Sequence, residues 1–365
     1  PGRLDVPAAS RECGPTGEET CLMTMFAAVS SVVVAAAVLG QGQGPGKGPW
    51  ELASPESMGL NTSLLGGAAV EIRSKARNRK CFLVAKEGKI VYEQYYGSSD
   101  EKTKSAAYST TKSLCSSLMG RSIELGWGSV ADGVDKARDP LNCNKEATMQ
   151  NVLTMTGTSN DLNNPTFNYD ALGTNCYDTI QGYILRNNPE GLSTEEWMLK
   201  HFWNQVGFEH SEWRAGIWLQ CGTSSQMTCR DLARHAQLWL NEGFWPGEGQ
   251  LLNKEYVKKG TTWVYPDQGD PYGYGVRLRP YDPVDNKVAY FGGIYLNCAF
   301  FSKEHQAVVV SMGSDLLSSC QGEVWEEARY AVVSKDHPLW TEANPEFQAA
   351  VDRLAAAGLE RKAEA

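Results

Sequence analysis

The spacing of apolar side chains predicts strands near both ends of the chain and helices between them. Two β-rich runs, CFLVAK and KIVYEQYY, lie within residues 80–96 around the turn KEGK, which is typical of a hairpin. Between the strand regions, apolar residues recur at helical spacing, as in TCRDLARHAQLWLN at 228–241. Further short β-rich runs, separated by turn residues, follow late in the chain at 273–278, 288–291, 294–301 and 307–312. This order indicates an α+β fold in which both ends of the chain build one antiparallel sheet flanked by helices.

One helical pattern, AAYSTTKSLCSSLMGRSIELGW at 106–127, has a polar face of Ser and Cys rather than Lys and Glu. Leu114 and Leu118 supply its apolar face, and the small residues between them allow close approach to neighbouring elements. A helix of this composition is typically buried. We expect it at the junction between the sheet and an inserted, mainly helical lobe of about residues 109–260, where clefts form.

Ser109 and Lys112 begin this helix, and their spacing of three places them on one helical face. Burial and the positive end of the helix dipole both disfavour a charged lysine there. A neutral amine could accept the proton of the serine hydroxyl, as a nucleophilic serine requires. The S-x-x-K pattern also occurs at 99–102, in a charge-dense turn where we expect solvated surface. The pattern alone therefore leaves a catalytic and a structural role for Lys112 equally open.

The composition of the chain and the motifs that it lacks argue against other kinds of site. The chain has 365 residues and a net charge of −9, with no basic run that would suit nucleic acid. It has five histidines and no G-x-S-x-G elbow, which disfavours a Ser-His-Asp triad. It also lacks a phosphate-binding loop, a C-x-x-C pair and zinc-ligand spacing, so we expect neither a cofactor nor a metal.

An apolar run at 22–39, LMTMFAAVSSVVVAAAVL, is followed by a Gly/Gln/Pro stretch. The run predicts a secretory signal peptide, and the alternative is a single membrane-spanning anchor. We therefore divide the chain into a targeting segment and linker at 1–49, one domain at 50–335 and a C-terminal tail at 336–365. The expected location is secreted or extracytoplasmic.

Eight cysteines follow the apolar run, and an even number in an exported domain permits disulfides. They are Cys81, Cys115, Cys143, Cys176, Cys221, Cys229, Cys298 and Cys320. The sequence leaves their pairing open. Because Cys115 belongs to the buried helix, we expect it to be a free thiol in the core.

Several stretches resemble, in order, the β-lactamase-related serine hydrolases, a group that includes class C β-lactamases, penicillin-binding DD-peptidases, esterases and amidases. YSTTKSLCSSLMGRSIELG is similar to the first motif, and NVLTMTGTSNDL to a loop in which Met155 replaces a common histidine. FNYDALGTNCYDTIQGYIL resembles the second-motif segment, and AYFGGIYLNCAFFSKEHQAVVVSMGS the strand pair of the third motif. The resemblance covers about residues 50–335. It implies a β-lactamase/transpeptidase-like fold and a serine hydrolase without a cofactor.

The resemblance also implies roles for individual side chains. Ser109 would be the nucleophile and Lys112 its base. Tyr169 matches the second-motif tyrosine, whose phenol would share a proton with the lysine and relay it to the leaving group. Tyr177 is the alternative for the phenol.

The third motif corresponds to Phe291, Gly292 and Gly293, which would line the substrate pocket. The oxyanion hole would be the backbone N–H groups of Ser109 and Ile294, with Gly293 as the alternative to Ile294. The Lys or His usual in this motif is absent, which argues for a neutral ester or amide rather than a penicillin-like substrate.

Two further features bear on activity. The second motif, Tyr169-Asp170-Ala171, lacks its usual asparagine. Arg277 and Arg279 could restore the missing cation, although arginines on a strand surface are the simpler interpretation.

We predict a serine hydrolase that cleaves a small-molecule ester or amide through an acyl-enzyme. The alternative is a catalytically inactive relative that acts as a binding or assembly protein.

Overall fold

A six-stranded antiparallel sheet forms the centre of the fold. The computed structural model describes residues 42–75, 78–137, 142–213, 220–267, 269–314, 320, 323–339 and 345–364. The strands of the sheet are β1 Arg79–Lys86, β2 Lys89–Tyr95, β8 Arg277–Arg279, β9 Val288–Gly293, β10 Asn297–Ser302 and β11 Ala307–Gly313. Their spatial order is β2-β1-β11-β10-β9-β8. Both ends of the domain therefore contribute to one sheet, as predicted.

Helices fill the chain between β2 and β8 and also cover the far face of the sheet. They are α1 Thr62–Lys75, α2 Thr110–Glu124, α3 Met149–Leu153, α4 Ala171–Tyr177, α5 Thr179–Asn187, α6 Thr194–Met198, α7 Asn204–Val206, α8 Cys229–Leu240, α9 Lys254–Gly260, α10 Glu323–Ala328 and α11 Pro345–Glu364. Short strands accompany them: β3 Ser105–Ala106, β4 Glu212–Trp213, β5 Ser225–Met227, β6 Phe244–Trp245 and β7 Gly249–Gln250. The predicted helical insertion, α2 to α9, is confirmed.

Alternate side chains of β1 enter two different cores. Leu83 and Ala85 belong to the core shared with α2 and α8, whereas Phe82 and Val84 belong to the core shared with α1. A strand that is covered on both faces has no solvent-facing set of side chains. This explains why CFLVAK is a continuous apolar run rather than an alternating one.

Hydrogen bonds satisfy the serine-rich face of α2. Ser113 Oγ donates to the Gly275 carbonyl at 2.6 Å, and Ser116 Oγ donates to the Tyr274 carbonyl at 2.6 Å. Buried hydroxyls are costly unless they are hydrogen-bonded. The helix can therefore be fully buried without an apolar side chain at every position.

The C-terminal helix α11 packs closely on α1. A Cβ atom at Gly67 would lie 1.9 Å from the carbonyl oxygen of Leu354, so only glycine permits this approach. Leu354 and Phe347 are buried in the interface. The predicted tail at 336–365 thus includes a helix that packs on α1. Among the described residues, no helix combines the length and the apolar composition needed to cross a bilayer. The predicted targeting run at 22–39 lies outside the described residues.

Four disulfides connect the eight cysteines of the domain. The pairs are Cys81–Cys229, Cys115–Cys221, Cys143–Cys176 and Cys298–Cys320. The expectation of a free thiol at Cys115 is wrong. Because α2 carries small side chains, the segment before β5 approaches it, and the Cα atoms of Cys115 and Cys221 are 5.5 Å apart.

We expect the Cys115→Ala, Cys221→Ala double variant to be less stable than the wild type. This disulfide links positions 106 residues apart, and its loss enlarges the conformational freedom of the unfolded chain. The expected loss in the free energy of unfolding is about 2–4 kcal/mol. Urea denaturation of the oxidised proteins measures it. Alkylation of Cys115 in folded, unreduced wild-type protein would contradict the pairing.

Candidate active site

Ser109 lies directly before α2 and borders a small cleft. Its side chain makes no capping hydrogen bond to the helix, so the hydroxyl is not committed to a structural role there. The cleft has a volume of about 60 Å³ and is lined by Ser109, Tyr169, Arg277, Gly292, Gly293, Ile294 and Cys320. These residues come from the start of α2, the segment before α4 and the β8–β9 edge of the sheet, and Cys320 is bonded to Cys298 of β10. The cleft therefore lies where the sheet meets the inserted helices.

The Lys112 amine lies within hydrogen-bond distance of Ser109. Its Nζ is 3.1 Å from Ser109 Oγ and donates to the Gly222 carbonyl at 3.2 Å. The side chain is only 2% exposed. These two neutral oxygens and the phenol of Tyr169 hold the lysine in place, and among the described residues it forms no ion pair with a carboxylate.

Burial lowers the pKa of the Lys112 amine below its ordinary value. The phenol of Tyr169 and the carboxylate of Asp178 act in the opposite direction and raise this pKa, but by less than burial lowers it. The Arg277 guanidinium adds a smaller lowering effect. The fraction of neutral amine near neutral pH is therefore larger than for a solvated lysine.

Two basic side chains lie close to the ring of Tyr169. Lys112 Nζ is 4.9 Å and Arg277 Cζ is 4.8 Å from the centroid of its ring. The ring is stacked near Phe167, with centroids 6.1 Å apart, and meets Tyr272 edge-on at 6.2 Å. These aromatic contacts hold the Tyr169 ring in place, and the ring also lines the cleft. The structure thus brings Tyr169 together with Ser109 and Lys112.

Tyr177, the alternative phenol, is not among the residues that line the cleft. It is completely buried, and its hydroxyl donates to the Lys112 carbonyl at 3.1 Å. Burial raises the pKa of this phenol well above its ordinary value. Tyr177 therefore supports the backbone of α2, and Tyr169 is the tyrosine at the cleft.

The end of β9 approaches the start of α2 because it carries glycine. A Cβ atom at Gly293 would lie 2.5 Å from the Ala107 carbonyl oxygen and 3.3 Å from the Ser109 nitrogen. Ile294 follows at once and also lines the cleft. The two segments that carry the predicted oxyanion donors therefore border the same space, while the donor role of their N–H groups stays a prediction.

A buried arginine fixes the turn that carries Ile294. Tyr295 and Leu296 adopt positive φ angles of 66° and 54°, which side-chain-bearing residues seldom do without support. Arg79 donates to the carbonyls of both, with a distance of 2.7 Å to that of Leu296. Asn297 Nδ2 donates to the Ile294 carbonyl at 2.8 Å. No sequence motif marks Arg79, since its partners are more than 200 positions away.

Phe291 occupies the core rather than the cleft. Its ring stacks on His235, with centroids 4.3 Å apart, and meets the edge of Trp239 at 5.9 Å. It is completely buried and does not belong to the cleft lining, whereas Gly292 and Gly293 do. An aromatic side chain at this position extends the packing between β9 and α8. The prediction that Phe291 lines the substrate pocket is therefore wrong.

Arg277 lines the cleft, contrary to the surface position favoured from sequence. Arg279 instead contacts Asp282 at 3.2 Å and Glu326 at 3.2 Å, away from the cleft.

Asp178 is a second residue near the site that was not predicted from the sequence. Its Oδ1 accepts a hydrogen bond from the Cys221 N–H at 2.8 Å, beside the Gly222 carbonyl that binds Lys112. Asp178 does not belong to any recognisable sequence motif. Within the described ranges, no three His, Cys, Asp or Glu side chains are placed to hold a metal ion.

No protein-family profile matches this chain, and no curated protein matches it by sequence. Solved structures do match. A Bacillus anthracis protein assigned as a 6-aminohexanoate-dimer hydrolase superposes with a TM-score of 0.62 at 16% identity, over 81% of this chain and 89% of its own.

Two further structures agree over most of their length. EstCE1, a hydrolase with promiscuous acyltransferase activity, gives a TM-score of 0.59 at 12% identity, covering 76% of this chain and 99% of that one. A β-lactamase from Mycobacterium bovis gives 0.55 at 13% identity, covering 77% and 98%. At identities this low, the superpositions demonstrate a shared fold only. The chemistry of this chain must be inferred from the residues at its own site. The chain therefore has the β-lactamase/transpeptidase-like α+β fold that its sequence resemblance implied.

Proposed function

We propose that the protein is a serine hydrolase that cleaves an ester or amide bond through an acyl-enzyme on Ser109. The observation that carries the proposal is the 3.1 Å separation between the buried Lys112 Nζ and Ser109 Oγ at a cleft. A structural lysine would gain more from a carboxylate partner or from water than from a serine hydroxyl.

The reaction begins with neutral Lys112. One of its N–H groups donates to the Gly222 carbonyl, which leaves the lone pair free to accept the Ser109 proton. Ser109 Oγ then attacks the substrate carbonyl, and the developing oxyanion is held by the N–H groups of Ser109 and Ile294. The position of Ser109 at the start of a 15-residue helix adds a favourable dipole for that negative charge.

Tyr169 completes the proton path. Its ring borders both the Lys112 amine and the cleft, so the phenol can return the proton to the leaving group as the tetrahedral intermediate collapses. The acyl-enzyme on Ser109 remains. Water then attacks the acyl-enzyme and gives a proton to neutral Lys112, which passes that proton to the departing Ser109 Oγ.

A fluorophosphonate probe tests the nucleophile directly. We expect covalent labelling of the folded wild type on the Ser109 peptide and no labelling of Ser109→Ala, because the probe reacts with activated serines. Ser99→Ala is the matched control, since Ser99 begins the partly exposed second S-x-x-K pattern, and it should label like the wild type. Folded wild-type protein that takes up no probe would support an inactive binding protein instead.

Substitutions at the two proton-transfer groups should reduce turnover without unfolding the protein. We expect kcat/KM for 4-nitrophenyl acetate to fall by about 10³-fold in Lys112→Met and about 10²-fold in Tyr169→Phe, since positioned acid–base groups contribute at this level. Lys102→Met, in the exposed second S-x-x-K pattern, should retain wild-type kinetics. Wild-type rates in Lys112→Met would refute the base assignment.

The pH dependence of kcat/KM should report the neutral fraction of Lys112. Activity rises with pH through the Lys112 pKa, because only the neutral amine accepts the serine proton. Asp178 raises this pKa, so Asp178→Asn should shift the acidic limb to lower pH. Arg277 lowers it, so Arg277→Gln should shift that limb to higher pH. Limbs that coincide with the wild type in both variants would show that another group titrates.

A further inference from the structure

Two tyrosine side chains connect the segments that carry the predicted oxyanion donors. Tyr108 directly precedes Ser109, and Tyr295 directly follows Ile294 in the turn between β9 and β10. The two rings meet edge-to-face, with centroids 4.6 Å apart and an angle of 83° between their planes. This is a favourable arrangement for an aromatic pair. The contact therefore links the residue before the predicted nucleophile to the turn that follows the third motif.

Both tyrosines have a backbone conformation that is unfavourable for a residue with a side chain. The φ angle is 49° at Tyr108 and 66° at Tyr295. Residues other than glycine remain in this region only where surrounding contacts impose it, and such positions are concentrated at functional sites. The unfavourable conformation thus occurs at both residues that flank the predicted donors.

The other side-chain contacts of this turn hold it against the sheet. Arg79 and Asn297, which donate to its carbonyls, are the first residues of β1 and β10. Gly293 permits the close approach of β9 to the start of α2, but a glycine has no side chain with which to hold the two segments together. The aromatic contact, in contrast, joins the turn to the start of α2.

Neither tyrosine belongs to the cleft lining, whereas Ser109 and Ile294 do. Any effect of the aromatic pair on the reaction therefore passes through the backbone of these neighbours. An oxyanion hole depends on donors placed within about 2.7–3.1 Å of the developing oxyanion. A small change in the separation of the two N–H groups would therefore weaken it.

We propose that the Tyr108–Tyr295 pair positions the two oxyanion donors by holding the β9–β10 turn at a fixed distance from the start of α2. This inference rests on the proposed hydrolase function. It makes both tyrosines positioning residues, which act through the backbone of Ser109 and Ile294 without touching the substrate. Because the rings form the contact, the proposal assigns no role to the two hydroxyl groups.

Asparagine substitutions remove each ring while keeping a residue that tolerates a positive φ. We expect Tyr108→Asn and Tyr295→Asn each to lower kcat/KM for 4-nitrophenyl acetate by about tenfold or more. The double variant should be no slower than the slower single variant, since both substitutions remove the same contact. Phenylalanine at either position should keep kcat/KM within about twofold of the wild type.

Phe208→Asn is the matched control. The Phe208 ring is half-buried and meets the edge of Trp203, with centroids 4.4 Å apart, and neither residue lines the cleft. This variant loses an aromatic contact of the same kind, so its stability should fall while its kcat/KM stays unchanged. Circular dichroism and urea denaturation establish that each variant is folded in the assay.

A second substrate distinguishes misplaced donors from general damage to the site. In O-(4-nitrophenyl) thioacetate, sulfur replaces the carbonyl oxygen and accepts hydrogen bonds more weakly, so the oxyanion donors contribute less to its hydrolysis. We expect the ratio of kcat/KM for the ester to that for the thionoester to fall by about fivefold or more in Tyr108→Asn and Tyr295→Asn. The ratio should stay at the wild-type value in Phe208→Asn.

The outcomes separate this inference from the proposed function. Wild-type kcat/KM in both folded asparagine variants, or an equal loss for the ester and the thionoester, would overturn the positioning role and leave the hydrolase intact. A wild-type protein that hydrolyses neither substrate and takes up no fluorophosphonate would refute the hydrolase, and the positioning role with it.

Discussion

The hydrogen-bond contact between a buried amine and a serine hydroxyl determines how the centre of this structure is arranged. Lys112 is 2% exposed, and taking an ammonium group out of water is costly. Two of its oxygen contacts, Ser109 Oγ and the Gly222 carbonyl, come from different segments. Both segments must be held in place, because movement of either would remove one of the oxygen contacts of the buried amine.

Long-range connections hold those segments. The Cys115–Cys221 disulfide joins α2 to the segment that carries Gly222, and Asp178 accepts the Cys221 N–H. On the opposite side of the cleft, Arg79 fixes the turn after β9 through backbone carbonyls. Ser109 and Lys112 therefore sit on rigid elements, as the proposed catalysis requires.

The sheet, the helical insertion and the residues Ser109, Lys112 and Tyr169 were accessible from sequence. Local spacing places Ser109 and Lys112 on one helical face, and the order of the motifs places Tyr169 with them. The pairing of Cys115 and the cleft position of Arg277 were not accessible. Each depends on how closely distant segments approach, which small residues such as Gly292 permit without any local signal. The prediction for Phe291 was wrong for the same reason, because its partner in the core lies on the distant helix α8.

The proposed hydrolase function requires that Ser109 becomes acylated during turnover. Rapid mixing with 4-nitrophenyl acetate, acid quenching within milliseconds and peptide mass spectrometry measure this directly. We expect one acetyl group on the peptide that contains Ser109, lost as turnover completes and absent in Ser109→Ala. Turnover with an unmodified Ser109 peptide, or acetylation that remains in Ser109→Ala, would contradict the claim.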